Sequence, residues 1–224
     1  MTPFLNPTFI IAILIALSVH EAAHAYIAKR LGDPTADMAG RVTLNPVAHL
    51  DPIGSLLFLF VGFGWGKPVP VNPANFRHPV RDNALVSLAG PLSNLLMAAV
   101  SFAGLALLAR AVPGSVTGLL SPMPEASVGV QFAGSLLGGL LFINLALMAF
   151  NLLPIAPLDG SHVLEALIPY RYQDAYAEFM RRGPFVLLFL LVAERLIGFP
   201  FLSTWIEGIM GAAFSLLQVL FGWM

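Results

Sequence analysis

Residues 8–28 read Thr8-Phe-Ile-Ile-Ala-Ile-Leu-Ile-Ala-Leu-Ser-Val-His20-Glu-Ala-Ala-His24-Ala-Tyr-Ile-Ala28, an apolar run with two histidines and a glutamate in its second half. The run is long enough for a helix to cross the hydrocarbon layer of a membrane, which takes about 20 residues. On that helix His20 and His24 are i and i+4, so both rings project from one face and can fill two of the four positions around zinc. Glu21 lies beside them as a general base. Two imidazoles and a carboxylate placed in hydrocarbon cost several kcal/mol unless they are paired or coordinated. The cluster therefore reads as a functional site. The run has no basic stretch before it and carries polar chemistry within it, so it is not read as a removable signal peptide.

Composition points the same way. Apolar residues make up 58% of the 224, charged residues only 10%, and the mean hydropathy is +0.83. That balance is far from the roughly 25% charged residues of a soluble domain. A net charge of -1 offers nothing to nucleic acid, and with no cysteine present any zinc must be held by histidine, carboxylate and water. Further apolar runs at 84–109, 131–153, 184–199 and 202–223 predict an all-α polytopic membrane protein of about five transmembrane helices in a single membrane domain over 1–224, the last two runs forming a C-terminal helical hairpin over 184–224. Glu194 and Arg195 interrupt the fourth run. They pair with each other, lie at an interface, or mark the hairpin turn.

Between the first two helices, Pro52 to Gly66 is apolar but short and punctuated by glycine, and Lys67-Pro68-Val69-Pro70-Val71-Asn72-Pro73 cannot be helix interior. Non-helical backbone at membrane depth is tolerated only where protein or a water-filled cavity covers it. The 40–78 region is expected to form a small membrane-associated re-entrant β element, with a plain interfacial loop as the alternative. Nine of the 11 basic residues fall between the first and second or the third and fourth helices. By the positive-inside rule those segments are cytoplasmic, which places His20 and His24 in the cytoplasmic half of their helix.

A zinc site needs a third protein ligand. Asp159 is the best candidate, because Pro154 and Pro157 break the third helix and deliver it at the same cytoplasmic depth as the histidines. Its other reading is the N-cap of a helix starting near Ser161. Asn94 and Asn151 are polar positions in apolar helices. Each either donates to a substrate backbone or developing oxyanion, or joins helices by hydrogen bonds, and Asn144 shares a face with Asn151.

These segments carry a resemblance. HEAAH (20–24), GRVTLNPVAHLDPIGS (40–55), GWGKPVPVNPANFR (64–77), SLAGPLSN (87–94) and NLLPIAPLDG (151–160) together resemble, in order, the site-2 protease family of intramembrane zinc metalloproteases, in its small prokaryotic branch without PDZ or other appended domains. The resemblance covers about residues 8–168 and implies a three-helix catalytic core over 7–168. It implies one Zn2+ per chain held by His20, His24 and Asp159, with Glu21 as catalytic base. It places Asn94 and Asn151 at motif positions. The implied activity is cleavage of transmembrane segments of membrane proteins within the cell membrane. Ala156 and Ser161 depart from the commoner family wording.

The chemistry asks for an extended substrate, because an amide inside a helix is shielded by its own hydrogen bonds. Lys67, Pro68, Val69, Pro70 and Val71 offer a strand edge for this by β-addition. Regulation would come through the membrane bundle, a partner, or prior trimming of the substrate by another protease. Of the remaining histidines, His162 is placed at the surface, His49 is expected to order its loop with Asp51, and His78 is read as solvated. A zinc transporter would show repeats or polar groups along a pathway, and a catalytically inactive membrane scaffold would have lost Glu21 or a ligand. Neither pattern is present in the sequence.

Overall fold

The computed structural model describes residues 6–61, 64–112 and 127–221. Parts of three expected features therefore lie outside the described residues: positions 62–63 of the re-entrant region, 113–126 of the 7–168 core, and 222–224 of the hairpin. The helices are α1 (Pro7–Arg30), α2 (Thr35–Met38), α3 (Pro46–His49), α4 (Pro52–Val61), α5 (Pro79–Ala111), α6 (Val128–Asn151), α7 (Asp159–Leu167), α8 (Gln173–Ile197) and α9 (Phe201–Leu220). Four of them, α1, α5, α6 and α9, are long and apolar enough to cross a membrane. The protein is an all-α multi-pass membrane protein.

Helix α1 starts where Asn6 accepts a hydrogen bond from the Thr8 N–H and Pro7 occupies the first turn, where its missing N–H costs nothing. Its buried residues include an i, i+4 row of Ala12, Ala16, His20, His24 and Ala28, joined by Ser18 and Ala25. Lipid offers no hydrophobic drive between helices, so close approach of backbones over small residues is what joins them. Ala12 and Ala16 pack against Leu140 and Ile143 of α6, and the histidines continue that same seam toward α5. Helix α5 in turn packs Ala98, Phe102 and Leu105 on Leu141, Leu145 and Met148 of α6, with Leu217 of α9 closing the cluster. The expected three-helix core is thus α1, α5 and α6.

Two expectations need correction. Of the expected five spans, the fourth run does not qualify: it is the second half of α8, a 25-residue helix that also carries Arg181, Arg182, Glu194 and Arg195. Of the three readings of Glu194-Arg195, the structure realises the hairpin turn. Gly198 ends α8 in the left-handed conformation (φ 71°), and the Glu194 carboxylate accepts the Leu202 and Ser203 N–H groups that open α9.

The β element is the second correction. Residues 52–61 are helix, capped by Asp51, whose carboxylate accepts the Gly54 N–H at 2.8 Å. The chain then doubles back so closely that a Cβ on Gly54 would lie 2.2 Å from the Trp65 carbonyl. Among the described residues there is no strand, only one antiparallel bridge between Leu50 and Gly66. Lys67 to Asn72 is neither helix nor strand, because Pro68 and Pro70 have no N–H to give a ladder. Three of its remaining donors are held one by one: Lys67 N–H by the His49 carbonyl, Val69 N–H by Glu21, and Asn72 N–H by Asp33. Asp33 also accepts from Thr35 and from the Asn75 amide. Burial opposes the Asp33 charge, but those hydrogen bonds outweigh it and hold the carboxyl below the usual carboxylate range.

Candidate metal centre

Helix α1 brings His20 and His24 to the α5 seam, and the turn after α6 brings Asp159 onto them. His20 Nε2 and His24 Nε2 are 3.0 Å apart, and Asp159 Oδ2 lies 3.3 Å from the first and 3.4 Å from the second. Donors at about 2.0–2.1 Å around a tetrahedral zinc sit about 3.3 Å from one another, so the triangle has the size of one face of such a site.

The hydrogen bonds fix which nitrogens are free. The Leu140 carbonyl can only accept, so Asn144 Nδ2 donates to it at 2.8 Å and turns Asn144 Oδ1 toward Asn94. Asn94 Nδ2 donates to that oxygen at 2.8 Å, which turns Asn94 Oδ1 toward His20. His20 Nδ1 must then carry the proton it gives to Asn94 Oδ1 at 2.6 Å. His24 Nδ1 likewise donates to the Val86 carbonyl at 2.7 Å. In their neutral form, rings so anchored point two Nε2 lone pairs at each other and at Asp159 Oδ2, a buried oxygen that accepts no hydrogen bond. Three electron-rich atoms converging in a low-dielectric seam repel unless a cation sits among them. The residues present fit a zinc ion.

Asp159 is the first residue of α7 and makes no capping hydrogen bond, so its N-cap reading is not realised. Gly160 sits against the backbone of the turn, where a Cβ would fall 2.3 Å from the Leu152 carbonyl. Ser161 is fully buried and donates to the Leu158 carbonyl at 2.6 Å, which fastens the same turn. From α8, Tyr176 donates to the Ser161 carbonyl at 2.7 Å. Glu21, one residue from His20, accepts the Val69 N–H at 3.2 Å, so Lys67 to Val71 lies directly over it.

Other expected residues fall elsewhere. Asn94 is fully buried with both ends of its amide engaged, the oxygen by His20 Nδ1 and the nitrogen by Asn144 Oδ1. Asn144 completes that relay. Asn151 is half-buried and donates one N–H to the Leu147 carbonyl, and no described hydrogen bond joins it to the triad. His49 is fully buried and meets the Thr43 carbonyl at 2.8 Å, not Asp51, because Asp51 is spent on capping α4. His162 faces Glu165 at 3.4 Å, and His78 is exposed. The Val86 carbonyl was not legible in the sequence, since every residue carries one.

An outer partner that orients a metal-binding histidine is typically worth 10–100-fold in metal affinity. Asn94→Ala is therefore expected to weaken zinc binding by about 10–100-fold, read by competition with a chelator of known affinity. An unchanged affinity would mean that His20 is held by packing alone.

Two histidines and a glutamate on a membrane-spanning helix, met by an aspartate from the turn after α6, define a membrane-embedded zinc metalloprotease. The chain belongs to that class: residues 8–192 match the model of peptidase family M50, the site-2 protease family. It is 38% identical over 189 residues to "Putative zinc metalloprotease YwhC" of Bacillus subtilis, covering 84% of this chain and 81% of that protein. It is 33% identical over 208 residues to "Putative zinc metalloprotease Rip2" of Mycobacterium tuberculosis, covering 91% of this chain and 71% of the relative. No solved structure matches the chain. Zinc is the metal this family implies.

Proposed function

We propose that the protein is an intramembrane endopeptidase that hydrolyses peptide bonds in transmembrane segments of other membrane proteins, with its site open to the cytoplasmic side of a prokaryotic cell membrane. The observation that carries this reading is the His20–His24–Asp159 triangle, whose two histidines and neighbouring Glu21 stand on the spanning helix α1. In this reading His20, His24 and Asp159 hold Zn2+. When bound there, zinc supplies Lewis acidity, polarising a carbonyl and acidifying water.

The chain's own groups do the rest. Glu21 takes a proton from the attacking water and returns it to the leaving amine. The Val69 N–H engages one oxygen of its carboxylate and leaves the other to face the water. Lys67 to Val71 receives the unwound substrate along its edge. Val71 N–H and the carbonyls of Val69 and Pro70 make no hydrogen bond with described residues, so they are free to pair with an extended chain. Asn151 keeps one amide hydrogen for the substrate backbone. Packing of Ala12, Ala16 and Ala28 against their neighbours closes the rest of the seam. A transport reading has less support: the triad is the one cluster of three or more metal-ligating side chains found among the described residues, whereas a pathway needs several.

The test is a synthetic single-span peptide, tagged at both ends and reconstituted in vesicles with the purified protein. Cleavage inside the apolar segment, mapped by mass spectrometry and abolished by a chelator, is expected. Cleavage confined to the water-exposed flanks would contradict the intramembrane reading.

A further inference from the structure

We propose that Arg41 is a positioning residue for Glu21, acting through a single peptide group of the 67–71 segment. This rests on the reading of Glu21 as the base. Arg41 is only 4% exposed, and among the described residues no carboxylate lies within ion-pair distance of it. Its Nη2 donates instead to the Lys67 carbonyl and, at 3.2 Å, to the Pro68 carbonyl. A buried guanidinium is usually matched by a carboxylate. Here it is given to two successive carbonyls, and its Nε has no partner.

The second of those carbonyls matters most. Pro68 C=O and Val69 N–H belong to the same planar, trans peptide unit, so they point in opposite directions and move together. Arg41 holds the oxygen at one end, and Glu21 Oε2 accepts the N–H at the other, 3.2 Å away. Proline on each side narrows the alternatives: Pro68 fixes its own φ, and Pro70 restricts Val69 to extended backbone. The remaining freedom is rotation of the 68–69 peptide plane, which would carry the N–H away from Glu21. The Arg41 contact removes that freedom. Cation, peptide dipole and carboxylate are also aligned in the sense that strengthens each hydrogen bond. Arg41 itself is placed by Gly40, whose φ of 67° turns the chain after α2, and by its own N–H on the Ala36 carbonyl at 2.9 Å.

The experiment uses the full chain in detergent, comparing wild type with Arg41→Gln, Arg41→Lys and Glu21→Ala. Zinc content is expected to stay unchanged, since Arg41 touches no ligand. Deuterium exchange at the Val69 amide is expected to rise by about tenfold in both Arg41→Gln and Glu21→Ala, because either change opens the same hydrogen bond. With the tagged single-span peptide as substrate, Arg41→Gln is expected to lower kcat by about 10–100-fold with KM nearly unchanged, and Arg41→Lys to recover part of the loss. Unchanged Val69 exchange in Arg41→Gln would overturn the proposal. So would a rise in KM with kcat intact, which would make Arg41 a support for the substrate edge alone. Should Arg41→Gln fail to fold, Arg41→Lys carries the exchange comparison. Retained cleavage in Glu21→Ala would overturn the base reading itself, a failure the exchange data cannot mimic.

Discussion

Glu21→Gln is expected to leave zinc bound and to reduce cleavage by about 10²–10⁴-fold, the usual contribution of a positioned proton acceptor. The substitution keeps the shape of the side chain and an oxygen able to accept the Val69 N–H, now 3.2 Å from Oε2. It removes only the ability to take a proton. The three proposed ligands are untouched, so a loss of metal is not expected. The measurement is cleavage of the single-span peptide beside zinc content in the same preparation. Cleavage at the wild-type rate would place the base elsewhere. Loss of zinc together with activity would instead make Glu21 part of what holds the metal.

The second large effect is expected at Gly90. In α5 it faces the two imidazoles so closely that a Cβ would lie 2.4 Å from His24 Nε2 and 2.5 Å from His20 Cε1. Neither ring can yield easily, because each is tied through Nδ1, His20 to Asn94 and His24 to the Val86 carbonyl. The helix cannot retreat either, since Phe102 and Leu105 of α5 are locked against α6. Gly90→Ala must therefore push the rings off their donor geometry. Zinc affinity is expected to fall by about 100-fold or more, at the upper end of what losing an orienting partner costs. Gly208→Ala in α9 serves as the control, because a Cβ there meets nothing within 4 Å. Equal zinc affinity in both variants would contradict the packing described for the site.

Much of this was readable from the chain because local geometry carries it. The spacing of His20 and His24 places both on one helix face whatever the helix packs against. Pro154 and Pro157 had to break α6, and that break put Asp159 where it is needed. What was not readable depends on tertiary contact. A backbone carbonyl such as Val86 has no signature, and Arg41 looked like one more basic residue of a cytoplasmic segment. Asn94 had two open uses, and the direction of its amide, set by the Leu140 carbonyl through Asn144, is legible only in the packed structure. The 52–66 segment read as too short and too punctuated by glycine for a straight span, yet its first ten residues were enough for α4 once Asp51 capped it. The proline-valine alternation kept this stretch out of helix. It did not make a sheet, because the prolines that extend a chain also remove the donors a sheet needs.

The three-ligand zinc site is tested by metal content per chain of the detergent-purified protein beside His20→Ala and Asp159→Ala, which needs no substrate. About one zinc is expected in the wild type, with a loss in both variants while the fold is kept. A folded wild type without zinc, or zinc indifferent to both substitutions, would contradict it.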